Sequence, residues 1–206
     1  MTVSLSEASS EHTLTRYRTV VVDPPWQVHQ PPEWNYGSPG GKPNRPVPYP
    51  TMSLEQIETL PVDELAEADA HLYVWTINRY VEATYRIVRA WGFTPSTLLT
   101  WCKTRKGLGV GGAYALTTEQ ILFARRGTGA FLRRWDTSWF EWPRGEHSAK
   151  PEAFLDIVEQ VSPAPRAELF ARRARFGWSY PIGNEALGGR DAGSPVPPAL
   201  IRAADL

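Results

Sequence analysis

Arg18 to Val22 (RTVVV) is the segment that most restricts the fold, because it is a short apolar run cut off at once by Asp23-Pro24-Pro25. A run with no polar alternation is buried on both faces, as in a strand at the centre of a parallel sheet. Two consecutive prolines cannot continue a ladder, since neither carries an N–H. The strand therefore stops at a defined point with a carboxylate at its tip. Further short runs follow at His71–Trp75 (HLYVW), Thr97–Cys102 (TLLTWC), Gln120–Ala124 (QILFA) and Ala167–Phe170 (AELF).

Helical patterns separate these runs. Ser53 with Gln56 forms a capping-box pattern for a short helix. Asn78 is expected to cap a helix whose apolar face is Val81, Tyr85, Val88 and Trp91, with Gly92 ending it. Pro151 opens another, with Phe154, Ile157, Val158 and Val161 inward. Strands alternating with helices imply an α/β fold built on a largely parallel sheet. Residues 27–50 are rich in proline and read as a long loop, and residues 125–149 as an irregular Arg- and Trp-rich segment. One domain is expected over residues 16–187, with a flexible N-terminus at 1–15 and a flexible tail at 188–206.

Composition narrows the function classes. The formal net charge is +0, yet its distribution is uneven. Residues 51–70 hold six acids and no base, while residues 101–150 hold nine Lys or Arg against four acids. The single cysteine, Cys102, excludes a disulfide framework and a cysteine-based zinc site. The four histidines lack metal-ligand spacing, so no metal is expected. No apolar run approaches the roughly 20 residues of a membrane span. There is also no signal-peptide pattern, and a soluble, cytoplasmic protein is the expectation.

The chemistry is concentrated in Asp23-Pro24-Pro25-Trp26. In open α/β sheets, ligands bind beyond the carboxyl ends of the strands, where this motif falls. A ring-attached amine is a poor nucleophile because its lone pair is delocalised. Acceptors for both its N–H groups, here Asp23 and the Pro24 carbonyl, favour a pyramidal nitrogen. Trp26 offers a face for an extruded base. Gly107 to Gly112 satisfies a G-x-G-x-x-G pattern, but a following helix and a well-spaced acid are lacking, so a mobile substrate-facing loop is preferred.

Taken together, these residues resemble the signature of the MT-A70 type adenine-N6 methyltransferases, and in particular their minimal bacterial or phage members. The likeness extends through Tyr49-Pro50-Thr51-Met52-Ser53, Leu72–Trp75, Trp101-Cys102-Lys103-Thr104, His147–Glu152, Glu168–Arg172 and Gly183-Asn184-Glu185, in the family's order. It implies a Rossmann-like fold with permuted motifs, the catalytic motif coming before the cofactor strand. It implies S-adenosylmethionine as the methyl donor and adenine N6 in nucleic acid as the acceptor, with DNA ahead of RNA. Asp23, Lys150, Glu168, Phe170, Arg172, Asn184 and Glu185 would surround the cofactor, Lys150 on its carboxylate and the last two on ribose hydroxyls. Tyr49 would close over the base. Lys103, Arg125 and Arg126 are assigned to the substrate side. Where family members often carry a His-Asn pair, this chain has Ala174-Arg175. A homodimer or a partner subunit is left open. The alternatives are RNA as the substrate, a non-catalytic nucleic-acid-binding scaffold and, more weakly, cytosine-N4 methylation.

Overall fold

The computed structural model describes residues 15–27, 50–104, 114–145 and 149–183. They form one seven-stranded sheet in the order β5-β3-β4-β2-β1-β6-β7. The strands are β1 (Tyr17–Val22), β2 (Ala66–Thr76), β3 (Thr94–Thr104), β4 (Thr118–Arg126), β5 (Trp139–Pro143), β6 (Arg166–Leu169) and β7 (Trp178–Ser179). Six run in one direction, and β4 alone runs antiparallel to both of its neighbours. Four helices cover the sheet: α1 (Leu54–Glu58), α2 (Val62–Leu65), α3 (Val81–Ala90) and α4 (Glu152–Val161).

The pleat sorts the core into two layers. Val20, Val22, Leu72, Val74, Leu122 and Ala124 point to one face, where they meet Ile57 of α1, Val62 and Leu65 of α2 and Ile87 and Val88 of α3. Their alternates Val21, Tyr73, Trp75 and Ile121 point to the other face and meet Phe154 and Val158 of α4. Val20, Val21 and Val22 are completely buried, each contributing about 1.5–3 kcal/mol of side-chain burial. This two-sided burial is why β1 lacks polar alternation.

Ser53 makes both halves of the expected capping box with Gln56. Asn78 does not cap α3. It begins a single 3-10 turn (Asn78–Tyr80), and Tyr80 occupies the cap position without a side-chain hydrogen bond. Gly92 follows α3 at φ +76°, the left-handed conformation that lets the chain leave a helix. Residues 125–149 are less irregular than expected, because Trp139–Pro143 pairs in parallel with β3 as an edge strand. Cys102 is half-buried. The termini at 1–14 and 184–206 and the glycine run at 107–112 lie outside the described residues. Among the described residues no helix is long and apolar enough to cross a membrane.

Strand order locates the binding crevice. β1 is flanked by β2 on one side and β6 on the other, and the helices that lead into them, α1 and α2 before β2 and α4 before β6, lie on opposite faces of the sheet. The tip of β1 is therefore a switch point, where connections diverge and open a crevice.

Candidate active site

Asp23 stands at that switch point. Its N–H donates to the Leu169 carbonyl (3.3 Å), which extends the pairing with β6 by one residue before the prolines end it. The Pro24 carbonyl then accepts the Trp26 N–H (2.8 Å), and the Pro25 carbonyl accepts the Met52 N–H (2.9 Å). The corner is thus rigid, but the Pro24 oxygen is not wholly free as the sequence suggested. One lone pair is occupied within the turn, and the second remains for a ligand.

Trp26 requires a larger correction. Its side chain is packed in the core at 6% exposure, with its ring stacked on Tyr80 (centroids 5.1 Å apart). Its indole N–H donates to the Trp75 carbonyl (3.0 Å). An indole held in this way has no open face for a base. Trp26 instead ties the chain after β1 to the end of β2, and so fixes where Asp23 points.

A chain of alternating charges crosses the crevice. Lys150 Nζ lies 3.0 Å from Asp23 Oδ1 and 3.1 Å from Glu119 Oε2, and Lys103 Nζ lies 2.5 Å from the other Glu119 oxygen. Lys150 also sits 5.1 Å above the Trp75 ring. Burial pushes the Lys150 ammonium towards neutrality, but two carboxylates at contact distance outweigh it and raise its pKa. For Glu119 burial again opposes ionisation, and the two lysines together win and lower its pKa. For Asp23 burial prevails over the opposing charges of Lys150 and Arg172, and its pKa is raised.

Glu119 was not singled out from sequence as a site residue. It reaches the crevice because β4 runs backwards, bringing its first residues to the same end of the sheet as the last residues of β1 and β2. The absence of a helical pattern between Thr104 and Thr118 was the available signal, since parallel strands need a long crossover. The same reversal displaces Arg125 and Arg126 from the substrate side. They pair with His71 and Ala70, whereas Gln120 pairs with Thr76 at the crevice end. Five residues of strand separate the two ends, roughly 17 Å. Arg126 donates to the backbone carbonyls of Asp63 in α2 and of Ala66 and Glu67 at the start of β2, and lies over Phe93. Its role is structural. Nearby, His71 is fully buried between Ser162 and the Gly129 carbonyl.

The crevice opens beside this charge chain into a cleft of about 650 Å³, partly open to solvent, lined by Asp23, Trp75, Lys150, Glu168 and Arg172. The start of α4 forms one wall and residues 172–175 the other. The Glu168 carboxylate, on β6, makes no hydrogen bond or ion pair with the described residues. Burial, reinforced by the neighbouring Asp23 charge, pushes its carboxyl up to about 7. Arg172 lowers the Asp23 pKa across the cleft. Phe170 adopts φ +63°, and its N–H donates to the Ile182 carbonyl (2.9 Å). Its ring lies against Gly183, where a Cβ would come within 2.2 Å of it. Tyr49, Asn184 and Glu185 lie outside the described residues.

A sheet with one reversed strand, opening at its switch point onto an acid-proline corner, defines a Rossmann-like methyltransferase domain in which that corner precedes the last core strands. The MT-A70 family model matches residues 17–185, and the chain belongs to that family. It is 27% identical over 189 residues to the Type II methyltransferase M.MunI of Mycoplasma sp, covering 84% of this chain and 80% of that protein. It is 27% identical over 186 residues to the probable N(6)-adenosine-methyltransferase MT-A70-like protein of Oryza sativa subsp. japonica, covering 86% of this chain and 24% of the relative. The catalytic subunit METTL3 of the Homo sapiens N(6)-adenosine-methyltransferase is 23% identical over 167 residues, covering 77% of this chain and 26% of its own length. The chain thus spans about a quarter of the N(6)-adenosine relatives and most of the Mycoplasma protein.

Proposed function

We propose that this chain transfers a methyl group from S-adenosylmethionine to the N6 amine of adenine in nucleic acid, with DNA as the substrate. The observation that carries this reading is the Asp23 carboxylate, buried at the tip of β1 in the cleft wall and held by Lys150 at 3.0 Å. There it can accept one amine N–H while the second Pro24 lone pair accepts the other. Both bonds draw the amine hydrogens out of the ring plane and localise the nitrogen lone pair. Neither proline donates, so nothing at the corner competes for that lone pair. Lys150 opposes the burial that raises the Asp23 pKa and keeps the carboxylate aimed into the crevice.

The donor set suits the cofactor. S-adenosylmethionine brings an electrophilic methyl on a sulfonium, together with an ammonium, a carboxylate and ribose hydroxyls. Glu168 is a buried carboxylate without a cationic partner in contact, and would receive positive charge. The third proton of Lys150, or Arg172, would take the cofactor carboxylate, and Asn184 and Glu185 the ribose hydroxyls. Tyr49 would cover the base and Lys103 would face the substrate from β3, its charge shared with Glu119. A second copy or a partner subunit would complete the nucleic-acid surface.

The relative matched over most of its own length is a Type II methyltransferase, which supports DNA. The names of the rice and human relatives support RNA as a second reading. The test is to incubate the purified chain with S-adenosylmethionine and matched DNA or RNA oligonucleotides, then to analyse the digested nucleosides by mass spectrometry. N6-methyl-2′-deoxyadenosine is expected. The ribonucleoside alone would transfer the reading to RNA, and no methylated adenine from either would refute it.

A further inference from the structure

The Ala174-Arg175 step falls on the cleft wall where family members often carry a His-Asn pair, and the structure shows where the arginine goes. Arg175 lies on the cleft wall and reaches across onto α4. Its Nε donates to Glu159 Oε1 (2.7 Å) and a terminal nitrogen to Glu159 Oε2 (2.9 Å). The same terminal nitrogen also reaches Asp156. Asp156 and Glu159 are three residues apart and so share one helix face. Trp178 of β7 donates its indole N–H to the same Glu159 oxygen (2.7 Å). The Arg175 backbone is held as well, because the Tyr180 hydroxyl accepts from its N–H and donates to its carbonyl (3.1 Å).

These contacts join the two sides of one cleft. The first turns of α4 contribute Pro151, Glu152, Phe154 and Leu155 to the lining, and the segment after β6 contributes Arg172 to Arg175. That segment leaves β6 through Phe170 at positive φ and has no regular structure before β7. Beyond the backbone bonds from Phe170 to Ile182 and from Trp178 to Arg175, its position rests on side chains. A second link, Arg173 to Glu152, is 61% exposed on both partners, and such pairs hold little. The Arg175 guanidinium is only 24% exposed and engages Glu159 with two nitrogens, the fork geometry that fixes orientation as well as charge.

We propose that Arg175 is a positioning residue for the cofactor: by clamping the segment after β6 onto α4, it sets the spacing of the walls between which S-adenosylmethionine binds. It need not touch the ligand. A wall ordered before binding does not have to be ordered by the ligand, and affinity gains accordingly. This rests on the cofactor assignment made above.

The test pairs calorimetry of S-adenosylmethionine and S-adenosylhomocysteine with amide hydrogen exchange, using Arg175→Ala and Glu159→Gln. Arg175→Ala is expected to weaken both ligands about tenfold, while kcat at saturating cofactor stays within about twofold. Glu159→Gln is expected to act in the same direction, and the double variant to bind no more weakly than Arg175→Ala alone. Exchange should accelerate at residues 171–177. Undiminished affinity in Arg175→Ala would overturn the proposal, as would a fall in kcat with unchanged affinity. If Arg175→Ala fails to fold, Glu159→Gln carries the test. Should the unaltered chain bind neither ligand, the cofactor assignment fails; exchange then decides for Arg175 separately, and an unaltered rate at 171–177 refutes the clamp.

Discussion

Replacing Glu168 with glutamine removes a carboxylate at odds with its surroundings. Its pKa stands at about 7 against an ordinary 4.5, and at about 1.36 kcal/mol per pH unit this corresponds to roughly 3 kcal/mol. Because the folded value lies above the unfolded one, the protein is most favoured below pH 4.5, where the group is neutral in both states. Between pH 4.5 and 7 the unfolded chain gives up this proton while the folded protein keeps it, so stability falls across that window and levels off above 7. Glu168→Gln has no such charge, so its advantage over the parent chain should grow from near zero at pH 4.5 to about 3 kcal/mol at pH 8. With a urea m-value of about 2 kcal/mol/M, that is a midpoint difference of about 1.5 M. The neighbouring Asp23 charge is one cause of the raised Glu168 value, so the two carboxylates are coupled. Urea denaturation of both proteins across this pH range measures the gap. An equal gap at pH 5 and pH 8 would show that Glu168 is not an uncompensated buried acid. The same variant should lose affinity for S-adenosylmethionine, because the group that burdens the fold would receive the cofactor's positive charge.

Lys150→Met leaves Asp23 and Glu119 facing a crevice without their shared cation, and should destabilise the protein by about 3–5 kcal/mol in urea denaturation. Adding Glu119→Gln should recover part of this, and strict additivity would contradict the pairing. Trp26→Phe keeps the ring packing on Tyr80 but loses the bond to Trp75, for an expected stability loss of about 1 kcal/mol. Its turnover per folded molecule should be unchanged; a drop in nucleic-acid affinity at full stability would restore the base-stacking role.

The parts legible in the sequence are those fixed by local pattern. Arg18–Val22 announced a central strand because burial on both faces excludes polar alternation, and Ser53 with Gln56 announced a helix start because the cap is made by those two side chains. The failures share a physical origin. The apolar run of β4 is the same in either direction, so its orientation could not be read from it, and orientation decides that Glu119 faces the crevice while Arg125 and Arg126 lie at the far end. The edge strand β5 was hidden because Trp139 and Glu141 face outward and break the apolar run that marked the central strands. Trp26 was misread because an indole beside a carboxylate at a strand tip suits a base and a core equally well. Its partners Tyr80 and Trp75 are more than forty residues away in sequence.

Single-turnover methylation by Asp23→Asn tests the proposed chemistry most directly, since the change keeps the shape of the corner and removes the charge that accepts the amine hydrogen. A fall of about 10²–10³ in rate is expected, with cofactor affinity held within about tenfold. Turnover at the unaltered rate would mean that the buried carboxylate at the tip of β1 is not what activates the amine.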